Sequence, residues 1–123
     1  MIEIKHYTKD QIPDVLQFER DLRSEENFWG LEIDEKYIVD VTASFENPAF
    51  ANCLSLLAYM DGKVADRIDS TKICSHFDGS AKAYLDWICV IKSCRHKGVA
   101  QALMQTLRKE LKNQGVDTLI GLI

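Results

Sequence analysis

The stretch Val90-Ile91-Lys92-Ser93-Cys94-Arg95-His96-Lys97-Gly98-Val99-Ala100 joins an apolar run to an amphipathic one, and its reading decides the fold. Upstream, Tyr84-Leu85-Asp86-Trp87-Ile88-Cys89-Val90-Ile91 is rich in aromatic and β-branched residues and reads as a central strand. Downstream, Val99, Leu103, Leu107 and Leu111 recur at helical spacing, which predicts a helix from Gly98 to Gln114 that stops at Gly115. Asp117 to Ile123 closes the chain as a last strand. Parallel pairing needs a crossover, so this strand–helix–strand unit makes its two strands parallel neighbours.

The rest of the chain supplies antiparallel partners. Ile2, Ile4 and His6 alternate with Glu3, Lys5 and Tyr7, as in a short first strand. Thr8 and Asp10 are cap residues, and Ile12, Val15, Leu16, Glu19 and Leu22 follow helical spacing over about Asp10 to Arg23. Asp34 caps a second helix with Tyr37, Ile38, Val41 and Phe45 on its apolar face, ended by Asn47-Pro48. Cys53 to Met60 is a nearly continuous apolar strand, and Asp61-Gly62 is a hairpin turn. A strand starting near Val64 pairs back on it, although Asp66-Arg67-Ile68-Asp69-Ser70-Thr71-Lys72 carries too many charges for full burial. Asp78-Gly79 is a second turn. The predicted order is βααβββαβ, an α/β (α+β) chain with a mixed sheet.

The 123 residues are expected to form a single domain, 1–123, with a self-sufficient core. Hydrophobic residues are 46% and charged residues 28%, which excludes a disordered or low-complexity protein. The net charge of −4 argues against a general nucleic-acid binder. Residues 1–86 hold nine basic and 17 acidic side chains, while residues 87–123 hold six basic and two acidic ones. The basic third is either a local anion site or an ordinary solvated helix, and both readings stand at this level.

No stretch reaches the roughly 20 apolar residues of a membrane span, and the first strand lacks the apolar core of a signal peptide. Cys53, Cys74, Cys89 and Cys94 fit neither a zinc site nor a disulfide framework, and His6, His76 and His96 are scattered. The expectations are a reducing cytoplasmic setting, no metal, no membrane, and thiols that mostly fill the core. Phe28 and Trp29, in the polar loop between the two N-terminal helices, are either part of a pocket or a lid over the core.

The junction itself carries chemistry. A helix start has unpaired N–H groups and a positive dipole end, which suit phosphate. Gly98 has no Cβ to block approach to the backbone, and Arg95 and Lys97 add positive charge. The stretch is neither a Walker loop nor the three-glycine dinucleotide fingerprint.

Arg95-His96-Lys97-Gly98-Val99-Ala100 resembles the pyrophosphate loop of the GCN5-related N-acetyltransferases (GNAT), whose pattern is Arg/Gln-x-x-Gly-x-Gly/Ala. The order of elements also follows that family, across the whole chain. The resemblance implies acetyl-CoA (coenzyme A) as cosubstrate. The backbone of Ile88, Cys89 and Val90 would pair with the pantetheine arm, and the amides of Arg95, His96, Lys97, Gly98, Val99 and Ala100 would hold the pyrophosphate. Lys92, Cys94 and His96 replace a frequent proline, aromatic and glycine of the family, and Asp66 replaces a frequent glycine in the third strand.

The resemblance implies direct attack of an amine on the thioester, with a base to take the ammonium proton. Asp86 is the best-placed carboxylate for that role, with Glu25 and Glu26 more distant; the alternative for Asp86 is a strand residue facing solvent. Tyr84 shares the face of Asp86 by strand alternation and is placed to order a water. The implied acceptor is a small-molecule or peptide amine. The family normally continues past the fifth strand into a helix and two further strands that are expected to be lacking here, so a non-catalytic acyl-CoA binder or interaction module is the alternative. Thr118 to Ile123 is an uncharged apolar edge, which predicts a homodimer through that strand.

Overall fold

In a computed structural model, residues 1–25, 33–90 and 97–121 are described, the side chains of 87–90 excepted. They form one five-stranded sheet in the order β1-β2-β3-β4-β5: β1 (Ile2–His6), β2 (Cys53–Met60), β3 (Lys63–Cys74), β4 (Ala81–Val90) and β5 (Leu119–Gly121). The helices are α1 (Ile12–Glu25), α2 (Glu35–Ser44) and α3 (Val99–Asn113). Neighbours are antiparallel except β4 and β5, which are parallel, as the crossover through α3 requires. The expected order holds, but β3 is the middle strand; β4 lies between β3 and the edge strand β5. Of the last expected strand, Leu119–Gly121 is observed and residues 122–123 lie outside the described residues.

Each face of the sheet carries its own core. Strand alternation sends Leu56, Ala58, Ile68 and Ala83 to one side, where they meet Val99, Leu103, Leu107 and Leu111 of α3. Leu57, Tyr59 and Val64 point the other way, onto Val15 and Phe18 of α1. Burying each large apolar side chain contributes roughly 1.5–3 kcal/mol, so these two stripes hold the helices to the sheet. Phe18, absent from the expected stripe of α1, is one of its most buried residues.

Local signals set the ends. Asp34 caps α2 by accepting from the Tyr37 amide at 2.8 Å, as expected. Asn47 accepts from the Ala49 amide and starts a 3-10 turn, Pro48–Phe50. The hairpin between β2 and β3 puts both Asp61 (φ 53°) and Gly62 (φ 81°) in the left-handed region, the geometry that favours Asp-Gly.

The charged run 66–72, expected to carry too many charges for full burial, lies in β3 and is not fully buried: Asp66, Ile68 and Ser70 are buried, while Arg67, Asp69, Thr71 and Lys72 are partly open, Arg67 with 14% of its side chain exposed. The Arg67 charge is tolerated because carboxylates from two elements surround it. The thiols were expected mostly in the core, but Cys53 and Cys74 are exposed, because they sit at the start of β2 and the end of β3 beyond the helices' cover. The side chain of Cys89 and all of Cys94 lie outside the described residues.

Candidate active site

The sheet departs from regular pairing where the site forms. On β3, Asp69 and Ser70 are consecutive, but their partners on β4 are Trp87 and Leu85, so Asp86 is the extra residue of a β-bulge. On the opposite edge of β4, the parallel pairing with β5 runs Ala83↔Leu119, Tyr84↔Ile120 and Leu85↔Gly121. Leu85↔Gly121 is the last pair among the described residues. A Cβ on Gly121 would lie 3.1 Å from both Cβ and O of Leu85, so this pair closes tightly because residue 121 is glycine.

A cleft of about 560 Å³ opens on the α1–α2 side of the sheet at this point. Its floor is Cys53 and Ser55 of β2, Arg67 and Asp69 of β3, and Asp86 of β4. Its wall comes from the end of α2 and the following turn, with Val41, Phe45, Pro48 and Phe50. Tyr7 packs edge-on against Phe45, with centroids 4.8 Å apart and an interplanar angle of 70°. Asp86 accepts a 2.7 Å hydrogen bond from the Thr71 hydroxyl. Tyr84 pairs with Thr71 across the strands, which puts it on the same face as expected, and it is half-buried.

Sequence reasoning missed the cluster beneath the floor. Arg67 donates through Nε and Nη2 to both oxygens of Asp69, each at 2.9 Å, and through Nη1 to Glu19 at 3.1 Å. Glu19 also accepts from Arg23 at 2.7 Å, and Asp69 accepts from the Ser55 hydroxyl at 2.6 Å. Burial alone would lower the Arg67 pKa, but the Asp69 hydrogen bond and the charges of Asp69 and Glu19 outweigh it and raise it. Burial pushes the Tyr7 phenol up to about 12, against the opposing pull of Arg67, whose guanidinium lies 5.4 Å from the ring centre. Tyr37 is raised for the same reason, burial first. The legible signal was Glu19, a carboxylate at an apolar position of α1, together with Arg67 and Asp69 two apart on one face of a strand.

The strand–helix junction is seen from its helical side. Gly98 caps α3 with φ 77°, a left-handed conformation, and its carbonyl accepts from the Ala102 amide at 3.0 Å. Among the described residues a Cβ there would meet nothing within 4 Å, so glycine is set by the backbone angle. Lys97 and Gly98 are exposed, Val99 is buried under the helix and Ala100 is half-buried. Arg95 and His96, with Lys92, fall outside the described residues. Ile88, Cys89 and Val90 pair with Ile68, Arg67 and Asp66. Asp66 is fully buried at the level of Val90, on the α3 face.

A profile described as the Acetyltransferase (GNAT) family matches residues 3–122. The chain belongs to the GNAT acetyltransferase family.

Solved GNAT structures superpose over nearly the whole chain. An aminoglycoside acetyltransferase from an uncultured soil metagenomic sample, in complex with sisomicin, has a TM-score of 0.81 at 12% identity, covering 99% of this chain and 77% of that one. The ribosomal-protein-alanine N-acetyltransferase of Brucella melitensis gives 0.77 at 16% identity, covering 98% and 78%. An aminoglycoside 6'-N-acetyltransferase, AAC(6')-Iy, in complex with a CoA-containing bisubstrate analogue gives 0.74 at 21% identity, covering 100% and 80%. At these identities the likeness concerns the fold. No curated protein sequence matches the chain.

Within the GNAT fold, Asp86 lies at the bulge of β4, with Tyr84 on the same face. Glu25, one of the more distant carboxylates, is exposed at the end of α1, and Glu26 lies outside the described residues, as do Phe28 and Trp29. Among the described residues no group of three or more His, Cys, Asp or Glu could hold a metal, and no helix is long and apolar enough to cross a membrane.

Proposed function

We propose that this GNAT chain is an acetyl-CoA-dependent N-acetyltransferase acting on a small-molecule or peptide amine held in the cleft. One observation carries the reading: Asp86, the extra residue of the bulge in β4, lines the cleft. The backbone of Ile88, Cys89 and Val90 is the stretch to which the amides of a pantetheine arm would add like a short strand. The left-handed Gly98 and the first amides of α3, with Lys97 beside them, suit the pyrophosphate, and Arg95 and His96 extend that loop. Acetyl-CoA supplies the thioester that the amine attacks.

The residues of the chain then have defined tasks. Asp86 takes the proton of the acceptor's ammonium, freeing the nitrogen lone pair for attack. The Thr71 hydroxyl holds the Asp86 carboxylate at one oxygen and leaves the other for the amine or an intervening water. Tyr84, on the same face, orders that water. The new bond is C–N and the broken bond is C–S; the nitrogen sheds its second proton to solvent as the amide forms, and the departing thiolate takes one from solvent. The exposed thiols of Cys53 and Cys74 fit a reducing, cytoplasmic setting.

Calorimetric titration with acetyl-CoA tests the cosubstrate, and release of free thiol in the presence of amines tests turnover. Asp86→Asn keeps an acceptor for Thr71 and is expected to bind acetyl-CoA as the parent does while losing roughly 10²–10⁴-fold in kcat. Absence of acetyl-CoA binding at millimolar ligand overturns the reading. Binding without thiol release across amines points instead to the non-catalytic acyl-CoA binder.

A further inference from the structure

The charges lining the cleft are not equally available. Arg67 and Asp69 are satisfied by each other, with Glu19 and Ser55 completing their shells. Glu46, on the rim, is paired with Lys9 at 2.6 Å, and the Lys9 hydrogen bond lowers the pKa of its carboxyl. Asp86 is different. Among the described residues it has the neutral Thr71 hydroxyl as partner and no cationic side chain within ion-pair distance. The cleft therefore offers one carboxylate in search of a cation.

The wall has the opposite character. Phe50 is 47% exposed and Phe45 36%, and both line the cleft with Val41 and Pro48. Rings left half in water beside a single uncompensated acid fit a ligand that is itself divided: one ammonium at the floor and an apolar body against the wall. A hydrophilic polycation would match one of its charges and leave the wall wet.

We infer that the acceptor is a primary amine with a single ammonium on an aromatic or alkyl body, not a polyhydroxylated or linear polycation. This rests on the cleft being the acceptor site of an acetyltransferase. Phe45 and Phe50 select the body, and Asp86 anchors the nitrogen.

The test compares 2-phenylethylamine and hexylamine with spermidine and the aminoglycoside kanamycin as acceptors, at fixed pH and salt. The single-charge apolar amines are expected to exceed the polycations by roughly tenfold or more in kcat/KM, and Phe50→Ala is expected to lower that advantage roughly tenfold, through KM. Phe50 is half-exposed, so its truncation leaves the two cores in place. Turnover with polycations equal or preferred overturns the inference and leaves acetyl transfer standing. If acetyl-CoA binds but no amine is acetylated, direct titration with 2-phenylethylamine decides: binding that weakens in Phe50→Ala upholds the cleft's selectivity, and no binding overturns it.

Discussion

Arg67→Met tests whether the buried charge cluster organises the floor of the cleft. The substitution keeps a long side chain in the same space but removes three charge-assisted hydrogen bonds, at 2.9, 2.9 and 3.1 Å. Breaking one partner of a buried ion pair costs about 3–5 kcal/mol. Here the lower end applies, because both carboxylates keep a donor: Glu19 retains Arg23 and Asp69 retains Ser55. A loss of about 3 kcal/mol lowers the melting temperature of a chain this size by about 12 °C. Calorimetric melts and urea titrations give the total, and a cycle with Asp69→Asn isolates the pair, with a coupling of about 1–3 kcal/mol expected. The same change releases Asp69 as a second unmatched acid on the floor, so activity toward doubly charged amines should rise relative to singly charged ones. A total loss below about 1 kcal/mol, the value of an exposed pair, refutes the reasoning.

Gly121→Val forces a side chain into the 3.1 Å approach to Leu85 and should cost about 1–3 kcal/mol while loosening the β4–β5 pair; hydrogen exchange at Ala83 and Leu85 that stays at parent rates would contradict this. The Tyr7 phenol, raised from 10.0 to about 12 chiefly by burial, keeps its proton in the folded state where the unfolded chain loses it. Stability therefore falls as pH rises through that window, and Tyr7→Phe should flatten the decline in urea titrations, whereas parallel curves would count against it. The edge strand β5, with Ile120 exposed, is proposed to pair with a second copy; light scattering that gives a monomer at every concentration removes that proposal.

Periodicity carried the fold. The spacing of Val99, Leu103, Leu107 and Leu111 and the Asp-Gly turn are local in sequence, so the burial stripe of α3 and the β2–β3 hairpin were legible in advance. The parallel partner of β4 followed from chain connectivity. That the charged run of β3 falls short of full burial was legible, but the near-burial of Arg67 within it was not, because its cost depends on a neighbour supplied by α1.

By itself the sequence determined the order of elements, the glycine at the start of α3 and the family resemblance, since these rest on short-range backbone preferences and on a contiguous motif. Tertiary structure alone decided which acids are available. Asp69 and Asp86 look alike along the chain, yet Arg67 saturates the first, while a one-residue bulge turns the second into the cleft beside Thr71. Ion pairing and strand register are long-range facts, and they exist only once α1, β3 and β4 have met.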